Sequence, residues 1–76
     1  MSGKLPVVSG AEAVKAFLQV GYEFNHQRGS HIILRRIEAP HRHLSIPNHK
    51  EVAKGTLRGL IRDAGLTVEQ FTELLG

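Results

Sequence analysis

The chain has 76 residues, of which 41% are hydrophobic; it has no cysteine or tryptophan, and its ten Lys and Arg against seven Asp and Glu give a formal charge of +3. A chain of this size buries only about 60–65% of its unfolded surface, which excludes a separate cofactor domain and a large closed active-site cavity. Without cysteine there is no disulfide framework, thiolate metal site or cysteine nucleophile, and no apolar run approaches the roughly 18 residues of a membrane span. The first ten residues, MSGKLPVVSG, lack the apolar region of a secretory signal. The expectation is one soluble, cytoplasmic domain over residues 1–76 with no membrane partner, residues 1–6 forming a loose arm. Its basic balance suits a polyanion such as nucleic acid.

In chain order, Ser9 with Glu12 predicts a capping box, and Val14, Phe17 and Leu18 recur at helical spacing until Gly21. Tyr22 to Arg28 alternates as a strand, with Tyr22, Phe24 and His26 on one side and Glu23, Asn25 and Gln27 on the other. Gly29 and Ser30 make a turn. His31 to Ile37 is rich in β-branched residues and predicts a second strand, with Ile32 and Leu34 on one face and His31, Ile33 and Arg35 on the other. A connection over residues 38–42 leads to a third strand, His43 to Pro47, which points Leu44 and Ile46 one way. After a loop to Gly55, Thr56 is the expected cap of a helix carrying Leu57, Leu60, Ile61 and Ala64 at i, i+3, i+4 and i+7. Gly65 stops it. Thr67 with Gln70 is a second capping box, opening a short helix that buries Val68, Phe71, Leu74 and Leu75.

The order α-β-β-β-α, with an extra short C-terminal helix, predicts an α+β fold of the double-stranded-RNA-binding type. Its three-stranded antiparallel sheet would be covered on one face by helices and left open on the other.

The five histidines, His26, His31, His41, His43 and His49, fall within 24 residues and admit several readings. His41 and His43, at i and i+2, would share a strand face, as a metal site needs, but no carboxylate stands among the five except Glu38 and Glu51 in loops. Most are otherwise solvated surface residues. His31 differs in its setting: it follows the turn Gly29-Ser30 and opens a strand on the uncovered face, where a rigid element presents its imidazole. Imidazole titrates close to neutrality, so it can take a proton from a ribose 2′-hydroxyl or give one to a leaving 5′-oxygen.

In NHKEVAKGT, Lys50 and Lys54 precede a helix N-terminus near Thr56, whose free amides attract phosphate. Arg58 and Arg62 add a basic helix face, and Arg28, Arg35, Arg36 and Arg42 extend the cationic surface near the strands; a solvated face with ordinary charges remains the alternative. The aromatic residues Phe17, Tyr22, Phe24 and Phe71 are all needed for the core, so recognition by stacking bases on an open sheet is not expected. No Gly-rich nucleotide loop is present, and no cofactor is expected.

Taken together, SGAEAVKAFLQVGYEF, RGSHIIL, IPNHKEVAKGTLRGLIRDAGL and TVEQFTELL resemble the HicA family of bacterial toxins, the YcfA-like messenger-RNA interferases of type II toxin-antitoxin systems. The combination of GSH with KGTLRxxIRxAGL at this spacing is specific. The resemblance implies a metal-independent endoribonuclease acting on mRNA, neutralised by a HicB-type antitoxin, with His31 of the GSH motif as the catalytic residue. Many members have GSHH where this chain has Ile32 after His31. A second acid-base group is not named by the motif; His49 or Lys54, a water molecule or a substrate phosphate remain open. Arg28, Lys50, Lys54, Thr56 and Arg58 are the expected phosphate contacts, and His31, Ile33 and Arg35 the expected antitoxin interface. A non-catalytic RNA-binding module of the same fold is the alternative. A pure interaction protein, docking an acidic partner on its basic sheet face, is another.

Overall fold

A computed structural model describes residues 5–76 and has the order α1 (Gly10–Leu18), β1 (Tyr22–Arg28), β2 (His31–Arg36), β3 (His43–Pro47), α2 (Lys54–Asp63) and α3 (Val68–Leu74). The strands form one antiparallel sheet in the order β1-β2-β3. This is the expected α+β arrangement.

Local chemistry sets most boundaries. Ser9 and Glu12 form the full capping box at the start of α1, and Thr67 and Gln70 form the second at α3. Gly21 and Gly65 take positive φ, 96° and 76°, and end the first two helices where a side chain would be strained. Gly29 has φ 57° at the first central position of the two-residue β1–β2 turn, the place where a tight hairpin needs a glycine.

Helix α2 departs from expectation at its start. Thr56 is not its cap: the helix begins at Lys54, Ala53 stands at the cap with no side-chain bond, and the Leu57 amide donates to the Ala53 carbonyl. A cap precedes the helical backbone, and Thr56 already stands at the third helical position, so its hydroxyl cannot take that role.

The core lies between the sheet and the helices. Phe17 of α1 meets Tyr22 edge-on (centroids 6.1 Å apart) and tilts against Phe71 of α3 (5.2 Å), while Leu34, Leu44 and Ile46 supply the sheet side and Leu57, Leu60 and Ile61 come from α2. Val68, Leu74 and Leu75 of the last helix are half-buried around Phe71. Leu5 is 3% exposed and belongs to this core rather than to the loose arm expected over residues 1–6; residues 1–4 of that segment lie outside the described residues.

Strand β1 corrects two further expectations. Phe24 is 59% exposed rather than a core residue. It lies on the helix side of the sheet, opposite Leu34, but β1 is an edge strand and the helical cover reaches only as far as Tyr22. The register then shifts between Phe24 and His26, leaving Asn25 as an extra residue. This bulge moves His26 off the side shared by Tyr22 and Phe24 and sets it opposite Ile33.

Candidate functional site

Cross-strand partners in a sheet point to the same face, so the register builds the open face directly. One row holds Arg28, His31 and Pro47, the next His26, Ile33 and Ser45, and the third Glu23, Arg35 and His43. The alternate rows carry Leu34, Leu44, Ile32 and Ile46 to the covered side. Strict alternation from Tyr22 would have sent Arg28 to the covered side as well. The Asn25 bulge brings it beside His31 instead.

His31 is exposed, and among the described residues its imidazole has no hydrogen-bond partner. Its position is fixed by backbone: it begins β2 directly after the tight turn and faces Arg28 on one side and Pro47 on the other. Its pair with Pro47 is one that exchanges no ladder bonds, since Arg36 N–H donates to the Arg42 carbonyl and Asn48 N–H to the Ser30 carbonyl at the alternate positions. Proline therefore costs the ladder nothing there; it is buried, and the edge it turns away from β2 packs against Gly10.

The loop carrying His49 and Lys50 is held next to this end of the sheet. Asn48 N–H donates to the Ser30 carbonyl at 2.7 Å, Gly10 N–H to the His49 carbonyl at 2.9 Å, and Val52 N–H to the Val8 carbonyl at 2.8 Å. Gly10 is buried against this loop; a β-carbon there would meet the Pro47 carbonyl oxygen and lie 2.9 Å from the Asn48 Cα. Sequence reasoning missed Gly10, because a glycine at the first position of a helix reads as neutral until the segment crossing it is known.

The remaining candidates are spread more widely. Lys50 and Lys54 are exposed, in the loop and at the first position of α2. Thr56 and Arg58 are also exposed but ride on α2, whose Leu57, Leu60 and Ile61 pack into the core on the covered side, so this helix belongs to the layer behind His31. Arg58 already has an interaction within the chain. Ile33 and Arg35 share the open face with His31; Ile33 is half-buried, and Arg35 Nη1 pairs with Glu23 Oε2 at 3.1 Å. At side-chain exposures of 32% and 47% this pair orients the guanidinium more than it stabilises the fold.

The histidines do not converge. His41 lies in the connection before β3 rather than on a strand face with His43, and its Nδ1 is 3.1 Å from the Arg36 carbonyl oxygen. His26 Nδ1 is 2.6 Å from Asn25 Oδ1. Among the described residues no three His, Asp or Glu side chains gather as a metal-binding group. Among the same residues no helix is long and apolar enough to cross a membrane.

An exposed, rigidly placed imidazole beside an arginine, on an open face with a lysine-bearing loop at its edge, suits a flexible anionic polymer better than an enclosed small molecule. No individual curated protein matches the chain. A family model described as the HicA toxin of bacterial toxin-antitoxin systems matches residues 10–66, from the start of α1 through α2, and takes in the turn, His31, the loop with Lys50, and Lys54 at the start of α2. The chain therefore belongs to the HicA toxin family, the toxin half of a toxin-antitoxin pair.

Proposed function

We propose that this toxin is a metal-independent endoribonuclease that cleaves mRNA, with His31 as its catalytic residue. The observation that carries this reading is the exposed imidazole of His31 at the start of β2, flanked by Arg28 and by the loop tethered through Asn48. In such a cleavage the ribose 2′-oxygen attacks the adjacent phosphorus and the bond to the 5′-oxygen breaks. One proton leaves the 2′-hydroxyl and one arrives at the 5′-oxygen. His31 carries one of these transfers, a role worth about 10² to 10⁴ in rate. His49, on the neighbouring loop, is the candidate for the other. Arg28, Lys50 and Lys54 hold phosphates, whereas Thr56 and Arg58, on the helix behind the sheet, stand outside this path.

The antitoxin is of the HicB type and covers the open face. Ile33, half-buried in the middle row, supplies an apolar centre, and His31 and Arg35 lie on either side of it along β2. Covering this face would shut RNA away from His31.

The test is cleavage of RNA in excess chelator by the wild type and by His31→Ala. The wild type is expected to cut and the variant to lose activity by at least a hundredfold while still binding RNA. Equal cleavage by both removes His31 from the chemistry. Loss of wild-type cleavage in chelator reinstates a metal. Salt-sensitive binding with no cleavage by either protein leaves the non-catalytic RNA-binding module.

A further inference from the structure

A cavity of about 350 Å³ opens at the end of β3 remote from His31, lined by Arg42, His43 and Leu44 and by Asp63 at the end of α2. Leu44 is buried and supplies an apolar floor, whereas Arg42, His43 and Asp63 are exposed. Among the described residues none of these three side chains has a hydrogen-bond or ion-pair partner. The volume matches the lower range of small-ligand sites.

The chemistry of the lining is mixed in an informative way. A site for a simple anion has no use for Asp63, and a site for a simple cation has no use for Arg42. A nucleotide uses all of it: guanidinium pairs with phosphate, a flat imidazole offers a face for a base, and a carboxylate accepts from amino or imino groups on a base edge. Uracil offers one such donor, while guanine offers donors at two adjacent positions.

The groove lies at the outer edge of β3, between the open face, to which His43 belongs, and the covered side, to which Leu44 and Asp63 belong. His43 shares the third row with Arg35, and β3 runs from it through Ser45 to Pro47 beside His31. Four strand steps span about 13 Å, the length of roughly four stacked nucleotides at 3.4 Å each and of fewer when unstacked. The ladder alternation turns the N–H and C=O of His43 and Ser45 away from β2, giving that path a polar edge.

We infer that the groove between Arg42, His43 and Asp63 is a remote nucleotide subsite for the RNA strand cut at His31, favouring a base that carries hydrogen-bond donors. This rests on the endoribonuclease reading above.

The experiment measures kcat/KM on synthetic oligoribonucleotides that share one cleavage site and grow one nucleotide at a time on either side. The wild type is expected to gain about tenfold at one length, on one side only, when the strand first reaches the groove. In Arg42→Ala and Asp63→Asn the ratio of long to short substrate falls toward one, and Asp63→Asn also loses the preference against uracil at that nucleotide. Arg42→Gln serves as a second variant, and circular dichroism checks the fold of each. A smooth length dependence, or a step that survives in the variants, overturns the subsite while leaving endoribonuclease activity in place. Failure of the wild type to cut RNA of any length overturns both.

Discussion

The Asn48 amide donates to the Ser30 carbonyl at 2.7 Å, tying the segment that leaves β3 to the turn that precedes His31. One residue further along each chain stand His49 and His31. Residues far apart in sequence are thus brought to one corner of the sheet by backbone hydrogen bonds, and among the described residues no polar or charged residue is buried. The arrangement suits a small domain, which has little interior with which to orient a site.

Gly10→Ala tests that corner. Alanine is the better helix former by up to about 1 kcal/mol, but its β-carbon would press on the Pro47 carbonyl and the Asn48 backbone and disturb the bond to His49. Overpacking of this kind costs about 1–3 kcal/mol, so the clash wins. The denaturant midpoint should fall with the slope unchanged, and RNA cleavage should fall further than in an equally destabilised variant of α3 such as Thr67→Ala.

Lys54 is placed against the preference of its own helix. It is the first residue of α2, whose first turn holds no acidic residue and whose cap makes no side-chain bond, so a cation sits at the positive end of the helix dipole. Lys54→Ala should therefore stabilise the fold slightly, by about 0.5 kcal/mol, while weakening RNA binding. The slope of log affinity against log salt should shrink by about 0.7, the share of one phosphate contact on a single strand. Affinity and slope both unchanged would remove Lys54 from the interface.

How much of this was legible in the sequence follows from where each signal resides. The capping boxes at Ser9 and Thr67, the turn glycines and the alternation in β2 and β3 are local, and the structure repeats them. Phe24 was misread because hydrophobicity marks a face but not how far the opposing layer extends. His26 was misread because a bulge adds a residue without any change in composition, and Asn25 carries no mark of it beyond a weak strand propensity. The placement of His31 on the open face was legible from β2 alone. The nearness of the His49 loop was not, since it depends on bonds between segments distant along the chain.

Deleting Asn25 makes a counterintuitive test of the register. Removing a residue from the middle of a strand ordinarily turns everything on one side of it over. Here the residue removed is the extra one, so Tyr22 should stay in the core and Arg28 beside His31. The deletion variant is expected to fold with a loss of no more than about 1–2 kcal/mol and to keep its RNA cleavage. Amide exchange and nuclear Overhauser contacts across β1 and β2 would read the register directly. A molten or unfolded product would show that the bulge is needed for sheet curvature as well as for facing.

Tyr22 has the opposite character, a residue well placed but chemically imperfect. It is 4% exposed and packs edge-on against Phe17, yet its hydroxyl is buried with no hydrogen-bond partner among the described residues. An unpaired buried hydroxyl carries a desolvation cost of about 1–3 kcal/mol, whereas the ring contact with Phe17 needs no oxygen. Tyr22→Phe should keep the ring and shed the cost, raising stability by about 1 kcal/mol and the melting temperature by about 4–8 °C for a domain of this size. RNA cleavage should not change, because Tyr22 faces the helices and not the row that holds His31. A fall in melting temperature would show that the hydroxyl is bonded in solution and belongs among the groups that hold β1 to the core.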